Sequence, residues 1–161
     1  MLERALRSLR RPMSGAELRW LSSDIAIGRV RRREDWREVY EAGIRAVVDL
    51  RDEPADCGAA VRETGMRYLQ LCLRGESLPN AEELQIVAGW VQERVTGDGR
   101  VLIQDGESRC NDGLVAVASL IRSGLPAHLA LLALRRAAPA YTLDSRQHSE
   151  LVRFASAQAM S

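Results

Sequence analysis

The chain has 161 residues, 46% of them apolar and 28% charged, with a formal net charge of +1. That length suits one domain with a substantial core, and the composition is that of a globular protein rather than a disordered one. The near-zero charge excludes general attraction to nucleic acid or to a membrane surface, and no apolar stretch is long enough to span a bilayer.

All basic side chains other than the histidines are Arg and none is Lys. With the abundant Ala, this bias suggests a GC-rich, bacterial-type coding background. Cys57, Cys72 and Cys110 are odd in number and show no C-x-x-C pairing, so reduced cysteines in a cytoplasmic protein are expected. His128 and His148 lie far from any cysteine pair, so no zinc pattern appears. The start, "MLERALRSLRRP", is basic but lacks an apolar core and does not resemble a secretory signal. A basic arm or surface helix over residues 1–21 is expected.

In chain order, "DIAIGRV" (24–30) reads as a short strand. "REDWREVYEAGI" places Trp36, Val39 and Tyr40 on one helical face, with Gly43 as a C-terminal stop. "RAVVDLR" (45–51) has the β-branched centre of a strand inside a sheet. "EPADCGAAVRETG" follows as a loop and short helix ending at Gly65, then a strand over 66–74. Asn80 with Glu83 has capping-box spacing, and Leu84, Val87, Trp90 and Val91 make the helix that follows amphipathic. After "TGDGR", strand 101–104 runs through a polar turn into the almost wholly apolar helix 112–122. Pro126 is placed to open another helix at its first turn. A last helix begins near Asp144 and is expected to turn Leu151, Val152 and Phe154 inward.

Strands alternating with helices predict a single α/β domain over 22–158. Its sheet has four to five mostly parallel strands flanked by helices. Ligands bind such sheets beyond the carboxyl ends of the strands, where residues 105–111 sit.

Four stretches in their order resemble the dual-specificity branch of the protein tyrosine phosphatase family. They are "IAIGRV...W...YEAGIRAVVDLRDEP", "GMRYLQLCLR...LPNAEELQIVAGWV", "VLIQDGESRCNDGLVAVASLIRSG" and "ALLALRRAAPAYTLDSRQHSELVRF". Together they span about residues 22–155. The resemblance implies the phosphatase fold and a phosphate loop reading His-Cys, five residues, Arg, then Ser or Thr and often Gly. On this chain Gln104 falls at the His position, Asp105 at the nucleophilic Cys, Asn111 at the Arg and Asp112 at the Ser/Thr. Ser108 takes a usual glycine position, and Gly113 matches. The family's general acid, an Asp, should fall within "LRGESLPN", where Glu76 is the carboxylate present.

The family reaction needs an activated thiolate, and a carboxylate is far less nucleophilic toward phosphorus. A lost guanidinium removes two charge-assisted hydrogen bonds to phosphate. At about 1.5–3 kcal/mol each, this weakens phosphate binding by roughly 10²–10⁴-fold. No catalytic residue is therefore expected. The loop Asp105, Gly106, Glu107, Ser108, Arg109, Cys110 and Asn111 is expected at most to face a ligand.

Three readings of Asp105 stand side by side. Its carboxylate fills the anion cradle by accepting the loop N–H groups, or it gathers a divalent cation with Glu107 and Asp112, or it is simply solvated. Arg109 offers a positive charge inside the loop. Trp36 and Trp90 are expected in the core, His128 and His148 on the surface, and Arg31–Arg33 as a solvated run that an acidic or phosphorylated partner segment would suit. The expectation is a pseudophosphatase domain, a binding or regulatory module for a protein or phosphoprotein partner, with no cofactor and no metal. The alternative is a metal-assisted or carboxylate-dependent phosphoester hydrolase using Asp105.

Overall fold

The computed structural model describes residues 16–51, 56–71, 78–97, 99–105 and 110–160. Five strands form one sheet in the order β1-β2-β5-β3-β4: β1 (Ala16–Trp20), β2 (Ile25–Val30), β3 (Ile44–Asp49), β4 (Arg67–Gln70) and β5 (Arg100–Gln104). Only β1 runs antiparallel, paired to β2; the other pairings are parallel. This is the expected mostly parallel α/β sheet, at the upper end of the expected strand count.

The parallel strands alternate between two cores. Ala26, Val47 and Leu102 face one side, where α1 (Trp36–Glu41) and α2 (Asp56–Glu63) cover them with Trp36, Val39 and Val61. Ile27, Val48 and Ile103 face the other, under α3 (Ala81–Gly97), α4 (Asn111–Arg122), α5 (Ala127–Ala137) and α6 (Ser145–Ala159). Central strands covered on both faces read as continuous apolar runs, as "VLI" and "AVV" do here. Helix α4 is buried along Asn111–Leu120 because it lies against β5 and β2 on one side and against α3, α5 and α6 on the other.

Local signals held in most places. Gly43 ends the α1 segment at φ +92°, a conformation that glycine alone adopts without strain. The Glu83 N–H donates to Asn80 Oδ1 at 2.9 Å, and the Asn80 N–H donates to Glu83 Oε1 at 3.2 Å, completing the box that starts α3. Trp36 is fully in the core, Trp90 is half-buried against it, and His128 and His148 are exposed.

Four expectations are corrected or narrowed. Residues 16–20, assigned by sequence to an N-terminal arm or helix, are the edge strand β1. Val152 is 63% exposed, because α6 packs through Leu151 and Phe154 and the intervening positions turn outward at 3.6 residues per turn. Pro126 is the N-cap of α5, one position before the first helical turn. The strand expected over 66–74 covers Arg67–Gln70, and residues 72–77 lie outside the described residues. No helix among the described residues is long and apolar enough to cross a membrane.

Candidate functional site

The site lies where β5 delivers the chain to α4. Asp105 follows the last residue of β5 and is 9% exposed. Of the three readings, simple solvation is therefore overturned: the end of a central strand carries the side chain inside rather than out to water. Residues 106–109, which hold Gly106, Glu107, Ser108 and Arg109, lie outside the described residues, as does Glu76. The chain re-emerges at Cys110, whose φ of 59° and ψ of 19° are left-handed. A non-glycine residue there carries backbone strain. Helix α4 begins directly after it, with the Cys110 carbonyl accepting from the Leu114 N–H at 3.1 Å.

Two of the expected site residues are committed to packing networks. Gln104 is fully buried and bridges its neighbouring strands. Its Oε1 accepts from the Val30 N–H on β2 at 3.3 Å, and its Nε2 donates to Asp49 Oδ2 on β3 at 3.3 Å. Asp49 in turn accepts from the Arg51 backbone N–H at 3.0 Å, from Arg51 Nε and Nη2 at 2.9 Å each, and from the Tyr68 hydroxyl at 2.8 Å. Sequence reasoning passed over Asp49, although an acidic residue closing the β-branched run "AVV" was the available signal. Asn111, the first residue of α4, accepts at Oδ1 from Gln147 Nε2 at 3.0 Å. Gln147 is itself held in the capping box that Asp144 makes at the start of α6.

Asp112 sits one residue further along and is 3% exposed. Its Oδ2 accepts from the Tyr141 hydroxyl at 2.9 Å, and its Oδ1 accepts from the Gly113 N–H at 2.9 Å. Burial raises its pKa from 3.8 to about 7, and the nearby Asp105 charge adds to the rise, while the Tyr141 and Gly113 hydrogen bonds oppose it. Tyr141 is pushed up by its own burial and by the adjoining Asp112 carboxylate. The Cys110 thiol is raised by burial and by the charges of Asp112 and Asp105, although a hydrogen bond from the Thr142 backbone acts the other way. Cys110 thus has the surroundings of a packed thiol, not of a thiolate nucleophile.

Asp105, Cys110 and Asp112 share one cavity of about 330 Å³ with Tyr141. The cavity is also lined by Glu17, Arg19 and Arg29 of the β1–β2 hairpin and by Arg31 just beyond β2. The expected loop residues Asp105, Cys110 and Asp112 are thus brought together, whereas Gln104 and Asn111 are turned into the packing on either side. The basic run 31–33 is split. Arg31 reaches this cavity, but Arg33 pairs with Glu63 at 2.8 Å beside a separate groove of about 850 Å³ next to α1 and α2.

The fold has solved counterparts. The chain superposes on Tk-PTP in its active form with a TM-score of 0.74 and 24% identity, covering 86% of this chain and 96% of that one. PTPMT1 in complex with PI(5)P gives a TM-score of 0.79 at 14% identity, covering 89% and 97%. Human DUSP28 gives 0.75 at 20% identity, covering 90% and 100%. No family model matches the chain, and no curated protein matches it by sequence. The resemblance to the dual-specificity and protein tyrosine phosphatases is thereby borne out in the fold.

Proposed function

Proceeding from a chain that carries the dual-specificity phosphatase fold, we propose that it is a pseudophosphatase, a binding or regulatory module that does not use the phosphocysteine reaction. The observation that carries this reading is the pair of acidic residues at the β5–α4 junction. Asp105 stands at the strand end, where the resemblance puts the nucleophilic thiol, and Asp112 lies beside it in the same cavity. Acidic groups there oppose an entering phosphoryl dianion, and Asp105 stands in place of the thiol that would attack it.

The position matched to the family arginine supports the same reading. The Asn111 amide carries no charge, and its oxygen is bonded to Gln147, away from the cavity. The thiol present in the cavity, Cys110, precedes α4 directly and has a raised pKa. The partner this reading implies is a protein or phosphoprotein.

A second reading is favoured by one observation. Asp105 and Asp112 are neighbouring carboxyls, and Asp112 titrates near neutrality. Two adjoining carboxyls, one of them with a raised pKa, suit general acid and base roles, so a carboxylate-dependent phosphoester hydrolase is the alternative.

One assay separates them: pure protein with generic phosphomonoesters, with and without Mg²⁺ or Mn²⁺. The pseudophosphatase reading expects no turnover in either condition. Turnover that disappears in Asp105→Ala overturns it and establishes the hydrolase.

A further inference from the structure

The sequence of α5, "AHLALLALRRA", supplies more apolar residues than the core takes up. Ala130 and Leu134 are buried, and Leu131 and Ala133 pack half-buried against the helical core. Leu129 and Leu132 stay 41% and 38% exposed, and His128, Arg135 and Arg136 are exposed with them. At 3.6 residues per turn these five share one side of the helix, opposite Ala130 and Leu134. Residues three or four positions apart on that side have Cβ atoms about 5–6 Å from each other. Leu132 thus has His128, Leu129, Arg135 and Arg136 all as immediate neighbours.

No acid offsets these cations from within the helix or its flanks. From Gly113 to Leu143 the sequence contains no Asp or Glu, but it does contain Arg122, His128, Arg135 and Arg136. Neither the Arg135 nor the Arg136 guanidinium makes an ion pair or hydrogen bond among the described residues. At the end of the helix, Arg19 on β1 adds a further guanidinium by donating to the Ala137 carbonyl at 3.3 Å. The exposed Glu17 of the same strand tempers that end, so the cations of α5 itself carry the argument. The net charge of +1 describes the whole chain. At physiological salt, charges more than about 8 Å apart are largely screened from one another, so a local cluster acts by itself.

The occupant must suit leucine and arginine together on a convex surface. A nucleic acid would satisfy the arginines and gain nothing from Leu129 and Leu132. A folded partner would need a groove shaped to the helix. An anionic lipid surface is deformable and accepts both kinds of side chain. Leucines enter between the headgroups, while guanidinium groups on long apolar stems stay at the phosphates. We propose that α5 is a docking face for an anionic phospholipid surface, with Leu129 and Leu132 entering the headgroup layer and Arg135 and Arg136 at the lipid phosphates.

Docking in this way needs no opening of the fold. Helix α5 holds to the domain through Ala130 and Leu134 on the side away from the lipid, so it lies flat on the surface with its core contacts kept. Helix α5 is distinct from the β5–α4 junction, and the inference stands whether or not that junction hydrolyses a phosphoester.

Co-sedimentation of the full chain with vesicles tests this, using pure phosphatidylcholine and a mixture of two parts phosphatidylcholine to one part phosphatidylglycerol. On the mixed vesicles, half-retention is expected below about 1 mM accessible lipid at about 0.1 M salt, with loss at about 0.5 M. Retention on pure phosphatidylcholine is expected to be at least about tenfold weaker. Arg135→Gln combined with Arg136→Gln is expected to weaken retention at least about tenfold, and Leu129→Gln combined with Leu132→Gln at least about fivefold. All four positions are exposed, and circular dichroism checks that each pair keeps the fold. If one pair unfolds, the other decides together with the salt and lipid dependence of the parent. No retention on anionic vesicles, or equal retention on both kinds, overturns the proposal. Retention unchanged in both pairs also overturns it and points to the basic segment 1–12 instead. Weakening in the arginine pair alone, with duplex DNA or polyglutamate competing, overturns it in favour of an acidic macromolecule. A dimer in sedimentation velocity that the leucine pair dissolves, with no vesicle retention, overturns it in favour of a second copy of the chain.

Discussion

Gln147 on α6 donates through Nε2 to Asn111 Oδ1 on α4 at 3.0 Å, and both residues are buried. The bond ties the first residue of the loop-exit helix to a helix that begins 34 residues later in the chain. It uses an amide where the resemblance implies a guanidinium, and it holds that amide within the packing rather than at the cavity.

Gln147→Leu should expose this dependence. The substitution leaves the buried Asn111 carbonyl without its donor and removes the Gln147 arm of the Asp144 capping box. The expected loss is about 1–3 kcal/mol in urea unfolding followed by circular dichroism. Asn111→Ala combined with Gln147→Leu should cost less than the sum of the two singles, because each already breaks the same bond.

Asp112 should make stability depend on pH in an uncommon direction for a carboxylate. Its folded pKa of about 7 lies above the ordinary 3.8, so the folded state holds the proton more tightly than the unfolded chain does. Its contribution is fully present below about pH 4, is lost as pH rises to about 7, and is flat above that, with an upper limit on the order of 4 kcal/mol. Asp112→Asn should flatten this slope and raise stability at pH 8 relative to the parent. Melting temperatures from pH 4 to pH 8 check it, and a parent slope that is unchanged in the variant contradicts it.

Asp49 should be the costliest polar residue to remove. Asp49→Ala removes the acceptor shared by Arg51, the Tyr68 hydroxyl and Gln104 Nε2 at a buried site. Removing one partner of a buried charged network costs about 3–5 kcal/mol. Chemical denaturation of Asp49→Ala beside Tyr68→Phe, which removes one donor alone and should cost about 1 kcal/mol, gives the comparison.

Gly28→Ala should detach the edge strand before it unfolds the domain. The added carbon meets backbone, the Glu17 carbonyl at 1.9 Å, which cannot swing aside as a side chain would. Amide exchange should quicken first along Ala16–Trp20 while β5 stays protected. Equal loss of protection in β1 and β5 would contradict this order.

Strand and helix identity was legible where local chemistry is strong. The "AVV" and "VLI" runs, the Asn80 and Glu83 pair and the stop at Gly43 each act over a few residues, and each element formed there. The edge strand β1 was not legible, because "AELRW" becomes a strand only by pairing with β2. Val152 misled because a helix face is defined by what packs on it, and this side of α6 is left exposed among the described residues.

By itself the sequence determined which chemical groups stand at the β5–α4 junction: the acids Asp105, Glu107 and Asp112, with the Ser108 hydroxyl, the Arg109 guanidinium, the Cys110 thiol and the Asn111 amide between them. Only the tertiary structure decided what those groups face. Tyr141 comes to Asp112 across 29 residues, Gln147 to Asn111 across 36 and Gln104 to Asp49 across 55. The arginines of the β1–β2 hairpin reach the same cavity because β2, distant in sequence, pairs directly with β5. Hydrogen bonding and charge act through space, and sequence spacing reports distance only within one element. The character of the junction was therefore written locally, while its partners were set by the packing of hairpin, sheet and helices around it.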